Sequence, residues 1–188
     1  MSRSSLSKLA PLLFVAGAIL APKAQATTQV VAFNVLNASA TLPVPLLAGD
    51  NLQMNTLVTT ATGPLSQTIF FTVGADVGSL TGQAVWEIST ATGTGPRLTG
   101  VNIDIFDAAN ALVTSDTFAG TLGGWAVSTF AGAIAPGNYR LVATGTAVRD
   151  ASLDLTLSFV SGVPEPGTYA LMLAGLGLVG LVARRRAG

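Results

Sequence analysis

Short stretches in which apolar and polar residues alternate recur along the middle of the chain, and long stretches with a helical period are missing. Thr28 to Leu36 reads as a first strand, with Val31, Phe33 and Val35 on one face. Leu65 to Val73 and Gly82 to Ser89 read as two more. Val101, Ile103 and Ile105 alternate with Asn102, Asp104 and Phe106; the turn Asp107-Ala-Ala-Asn110 follows and Ala111 to Thr114 returns, which predicts a hairpin. Trp125 to Phe130 is a further strand. In the turn Ala135-Pro-Gly-Asn138, Pro136 presets φ at the first central position and Gly137 supplies a positive φ at the second. The chain then continues as Tyr139 to Thr144. Ala151 to Val160 alternates throughout, with Leu153, Leu155, Leu157 and Phe159 expected inward. Seven or more short strands with Gly-rich turns predict an all-β fold, an antiparallel β-sandwich of jelly-roll-like type. Thr41 to Asn55, with Pro43 and Pro45, reads as a loop or irregular edge. No internal repeat or second domain is visible.

The two ends break this pattern. Arg3 and Lys8 precede an apolar stretch, Leu9 to Ala21, and Ala24-Gln25-Ala26 has the small-x-small form of a signal-peptidase site. Residues 1–26 are therefore expected to be a signal peptide, and the mature chain to start at Thr27. At the other end, Val163-Pro164-Glu165-Pro166 is followed by an uncharged run from Thr168 to Ala183 and then by Arg184, Arg185 and Arg186. As a helix, this run reaches roughly 24 Å at about 1.5 Å per residue. A bilayer core is roughly 30 Å thick, so Tyr169 and the arginines would have to help at the interfaces. The arginines keep the C-terminus cytoplasmic and place the body outside. Pro164 and Pro166 stop the helix from growing upstream and hold Glu165 on a stiff segment. A plain membrane anchor is the simpler alternative.

Removing both ends changes the charge. Between Thr27 and Gly162 three arginines face eight carboxylates, a net charge of −5. That argues against nucleic acid as a partner. The chain has no cysteine or histidine, which removes disulfides, Ser-His-Asp and Cys-His catalysis and the usual zinc sets.

The order Pro-Glu-Pro, apolar helix, Arg cluster, chain end resembles the PEP-CTERM sorting signal of Gram-negative bacteria, over Val163 to Arg186. The resemblance implies recognition by an exosortase-type membrane enzyme, removal of the helix, and release or surface attachment, in an exopolysaccharide and biofilm setting. The three expected parts are thus a signal peptide (1–26), a β-sandwich ectodomain (27–162) and a sorting signal (163–188). The body is also similar to a group of PEP-CTERM proteins with an early Phe-x-Asp-x-Phe strand and a late Gly-x-Tyr hairpin. The late part matches at Ala135 to Leu141 and Gly145; at the early part, Leu65, Gln67 and Ile69 stand at the named positions.

Within the body, Glu87, Asp104 and Asp107 are the acids to weigh for glycosidase chemistry, but eight acids produce chance pairs and surface solubility is the simpler role. Asp104, Asp107, Asn110 and Asp116 around a tight turn offer oxygen ligands for calcium. The competing role is satisfying their own backbone. Trp86, Trp125 and Tyr139 are the aromatics that stack on sugars or fill the core. Trp125, exposed after Gly123-Gly124, and Tyr139 are the candidate glycan contacts. The expectation is an exported surface or matrix protein, not an enzyme, with no cofactor. Its expected partners are signal peptidase, an exosortase-type enzyme, the membrane before processing, and exopolysaccharide. The alternative is a carbohydrate-binding module of the same fold.

Overall fold

The computed structural model describes residues 25–89, 92–162, 172–177, 179 and 184. Eleven strands lie between Thr28 and Ser161: β1 (Thr28–Phe33), β2 (Asn37–Thr41), β3 (Asn51–Val58), β4 (Gly63–Val73), β5 (Val77–Glu87), β6 (Leu98–Asp107), β7 (Leu112–Ser115), β8 (Thr117–Leu122), β9 (Trp125–Ala133), β10 (Gly137–Ala147) and β11 (Ala151–Ser161). They form a six-stranded sheet, β1-β3-β11-β5-β9-β8, and a five-stranded sheet, β2-β4-β10-β6-β7.

The topology is a rolled-up hairpin. β6 pairs with β7, β5 with β9, β4 with β10 and β3 with β11, all antiparallel and nested one outside the next. Rolling this hairpin brings β11 against β5 and β10 against β6, which gives two sheets of jelly-roll type. Alternation drives the packing. Leu153, Leu155, Leu157 and Phe159 of β11 are all buried, as are Leu52, Met54 and Val58 of β3, Ile69, Phe71 and Val73 of β4 and Leu141 and Ala143 of β10. Thr56, Gln67 and Ser128 are polar side chains buried in this interior, and the first two are linked. The Thr56 hydroxyl donates to Gln67 Oε1 at 2.6 Å, and Gln67 Nε2 donates to the Val35 carbonyl at 2.9 Å. Gln67 stands at the central position of the early motif, so its role here is to tie β3, β4 and the 34–36 crossing together.

Two expectations change. The segment from Thr41 to Asn55 is not one loop: its last five residues open β3, a strand paired on both sides. The sandwich is not wholly antiparallel, because β1 pairs with β3 and β2 with β4 in parallel. The chain makes one full coil around that edge, up β1, down β2, up β3 and down β4, so each strand meets the next one laid in its own direction. Gly137 takes the expected positive φ, +156°, nearer to extended than the about +80° of a type II turn.

The register defines two ends. Thr28, Asn51 and Ser158 lie side by side, with Ser161 beside Val77, at what we call the proximal end. Val58 and Ala151 pair at the distal end, as do Glu87, Trp125 and Leu122.

Candidate functional site

The proximal end holds the first and last described residues of the body. Asp50 is only 5% exposed, in the short loop before β3. Its Oδ1 accepts from the Thr27 backbone N–H at 2.7 Å and the Thr27 hydroxyl at 2.8 Å, and its Oδ2 accepts from the Leu47 N–H at 2.8 Å. Burial alone pushes this carboxyl up, but the Leu47 and Thr27 donors outweigh it and hold the pKa below the usual value. Neighbouring backbone bonds fix the corner: Asn51 N–H to Thr27 O at 2.8 Å, Gly49 N–H to Phe159 O at 2.7 Å and Phe159 N–H to Asp50 O at 3.0 Å. Asp76 continues the chain of contacts. Its Oδ2 accepts from Ala48 N–H at 3.1 Å, and its carbonyl accepts from Gly162 N–H at 3.1 Å.

Gly162 sits where the body meets the sorting signal. A Cβ on Gly78 would lie 2.3 Å from Gly162 Cα, so both positions need glycine for backbone to touch backbone. The sequence suggests that Ser161-Gly162 begins a linker. Instead Ser161 still pairs with Val77, and Gly162 is still hydrogen-bonded. Both expected processing junctions, at Thr27 and after Gly162, therefore converge on one corner through the 46–50 and 74–76 loops.

The remaining processing residues are only partly visible. Ala24, Val163, Pro164, Glu165, Pro166, Arg185 and Arg186 lie outside the described residues. Residues 172–177, 179 and 184 are helical, and Met172, Leu173, Leu176 and Val179 are more than half exposed. Among the described residues no helix is long and apolar enough to cross a membrane.

The candidate surface aromatics are not brought together. Trp125, 38% exposed, lies on the outer face of the six-stranded sheet at the distal end, in one row with Leu122 and Glu87. Tyr139 lies on β10 in the other sheet, half-buried, stacked on Phe71 at 5.8 Å and donating its hydroxyl to Ala135 O at 2.7 Å. Packing and hydrogen bonding occupy it. Trp86 is buried in the core. Pattern reading missed a second aromatic row on the outer face of the five-stranded sheet, where Arg140 lies between Phe70 and Phe106 with its guanidinium carbon 4.2 Å from the Phe106 centroid. The signal was present: three neighbouring apolar residues, Ile69 to Phe71, leave the middle one pointing outward.

The acids face their own protein. Asp107 Oδ1 accepts from Ala109 and Ala111 N–H, both at 2.8 Å, and Asp116 Oδ1 accepts from Ile103 N–H at 2.8 Å. Asp104 accepts from Asn102 Nδ2 at 2.6 Å and from the Ser115 hydroxyl. Asn110 takes the left-handed turn position, φ +64°, and receives Arg140 Nε at 3.3 Å. Glu87 lies beside Gly95 and Trp125. Among the described residues no three of His, Cys, Asp and Glu gather as a metal set. At the distal end Arg149 spans a loop by donating from Nε to Gly95 O at 3.0 Å and from Nη2 to the Ser89 hydroxyl at 2.9 Å.

The model of the PEP-CTERM protein-sorting motif matches residues 162–186. The chain carries this sorting motif, which implies an exported protein processed by an exosortase-type enzyme. No curated protein matches the chain. Among solved structures, the pre-peptidase C-terminal domain of collagenase from Bacillus anthracis is similar at 10% identity, over 73% of this chain and 100% of that one, with a TM-score of 0.35. A periplasmic inhibitor of g-type lysozyme from Aeromonas hydrophila is similar at 13% identity, over 70% of this chain and 98% of that one, with a TM-score of 0.31. Likenesses this distant assign no function.

Proposed function

We propose that this is a non-enzymatic surface or matrix protein whose jelly-roll body acts in adhesion or assembly of an exopolysaccharide matrix. In this reading residues 1–26 are removed by signal peptidase at Ala24-Gln25-Ala26. Thr168 to Ala183 then holds the chain in the inner membrane, with Arg184 to Arg186 on the cytoplasmic side, until the exosortase-type enzyme acts at Val163 to Pro166. One observation carries it: the sorting motif starts where the last strand of a self-contained sandwich ends, so cleavage there frees a complete body. The test is the intact mass of the native protein, taken separately from medium and membranes. A species running from Thr27 to near Pro166 supports the reading. A membrane species that keeps Thr168 to Gly188, with nothing released or surface-bound, refutes it.

Glycan binding is the second reading, favoured by Trp125 on an open sheet face where Glu87 and Leu122 stand directly beside it, Val127 and Val85 come next along the strands, and the polar Gln83 and Thr129 lie one rung further. An exposed indole beside a carboxylate, with an amide and a hydroxyl further along the same face, suits a sugar face. Binding of the processed protein to its host's exopolysaccharide, lost in Trp125→Ala with an unchanged far-UV spectrum, supports it. Equal retention of both proteins on the polysaccharide removes Trp125 from the site.

A further inference from the structure

We infer that cutting the Ala26–Thr27 bond creates a second bond-making group inside the fold: the new α-ammonium of Thr27 forms an ion pair with the buried carboxylate of Asp50. The inference rests on the export reading above. Hydrolysis adds one water across the peptide bond; Ala26 leaves as a carboxylate and Thr27 keeps its nitrogen as an ammonium. That nitrogen already lies 2.7 Å from Asp50 Oδ1. An amide hydrogen bond thus becomes a charge-assisted one without any movement of the body.

Three features make this more than a chance contact. Asp50 is a nearly fully buried carboxylate, and among the described residues it accepts from the two Thr27 donors and the Leu47 N–H. Among the described residues it meets donors but no cation, and a buried anion is stabilised further by a cationic partner. The Thr27 carbonyl is pinned by Asn51 N–H, so the nitrogen stays in place once Ala26 has gone. A surface cavity of about 520 Å³ adjoins the site, lined by Thr27, Asp50, Leu47 and Gln25 among others; removal of Gln25 opens it further and gives the ammonium's other protons access to water. Among the described residues the other charged group at this corner is Asp76, whose Oδ2 is taken up by Ala48 N–H, and it adds a second negative charge nearby. Both carboxylates favour the protonated amine.

The sequence also supplies the probe. Lysine occurs only at Lys8 and Lys23, both ahead of the cut, so the mature chain has one primary amine, that of Thr27. The full chain, exported with its own signal and purified after processing, is pulse-labelled with an acylating reagent across a pH series, and the adduct is counted by intact mass. An ordinary α-amine titrates at about 7.7–8.0. The midpoint is expected above that range in the folded protein and within it in urea; below both midpoints the folded amine should label at least about threefold more slowly, a shift of half a pH unit or more. Asp50→Asn should remove the difference. The urea comparison needs only the wild-type protein, so a misfolded variant does not block the test. Equal midpoints in the folded and unfolded wild-type chain overturn the inference. A mature mass that starts at a residue other than Thr27 overturns it while leaving export intact, and a chain that keeps residues 1–26 overturns export as well.

Discussion

At the proximal end Asp50 and Asp76 take up Thr27, Leu47 and Ala48, and the Asp76 carbonyl takes Gly162, so loops, chain start and sorting junction are bound into one corner. At the distal end Leu122 stands 81% exposed and Trp125 38% exposed beside a left-handed Gly123-Gly124 turn. The same strands run between the two. Polar groups close on the protein at both ends, Arg149 and Asp150 among them at the distal one; what differs is the row of Leu122 and Trp125 that the distal end leaves exposed. The proximal corner ties both expected processing junctions to the body. The distal row leaves its apolar surface open.

Matched glycine substitutions give the sharpest contrast. Gly78→Val drives side-chain carbon into the Gly162 backbone and should cost about 3 kcal/mol, the upper part of the overpacking range, read as a lowered midpoint in urea. Gly123→Ala meets no atom within 4 Å and bears only the strain of its φ of +57°, about 1 kcal/mol. Equal losses at the two positions would show that the proximal contact is not tight.

Asp50→Ala leaves the Thr27 and Leu47 donors without their carboxylate and should cost about 2 kcal/mol at neutral pH. Its pKa is lowered by folding, so its ionised form stabilises the protein above the ordinary carboxylate value. That contribution is lost as pH falls through the lower folded value. The stability gap between wild type and Asp50→Ala should therefore narrow below about pH 4. A gap that stays constant to pH 2 assigns the loss to packing.

Arg149→Ala, at the other end, should cost about 1 kcal/mol and raise amide exchange in residues 92–97, with no effect on release at the sorting junction. Asp154 on the outer sheet face has the opposite electrostatic sign from Asp50. Desolvation raises its pKa, so its ionised form opposes folding once pH exceeds the ordinary carboxylate value. Asp154→Asn should match or exceed wild-type stability at pH 7 and lose that advantage at pH 3; a clear loss at pH 7 would give the carboxylate a binding role. Trp125→Ala should have the smallest stability effect, within about 0.5 kcal/mol, because a surface row holds it. A larger loss would place Trp125 with the structural aromatics Trp86 and Tyr139.

The sequence disclosed most where burial and period coincide. β11 is readable residue by residue because Leu153, Leu155, Leu157 and Phe159 all turn inward. β3 carries the same alternation at Leu52, Met54, Thr56 and Val58, but the prolines just upstream weighed against it. β8 has little period to read, since an edge strand at 117–122 buries almost none of its residues. Parallel pairing of β1 with β3 depends on a coil around the sandwich, which local pattern does not encode. The contact of Thr27 with Asp50 is 23 residues long, and that of Gly78 with Gly162 is longer still; neither residue's own neighbours announce it. The sorting signal was legible because its parts are contiguous.

The glycine contact at Gly78 also fixes a length. From Val77 beside Ser161 to Glu87 beside Trp125, β5 makes ten steps of about 3.3 Å, so the indole lies roughly 33 Å from the residue where the sorting motif begins. The body thus spaces the start of the sorting motif and the aromatic row to opposite poles, and on the proposed reading a macromolecule gripping one pole leaves the other free for the processing enzyme.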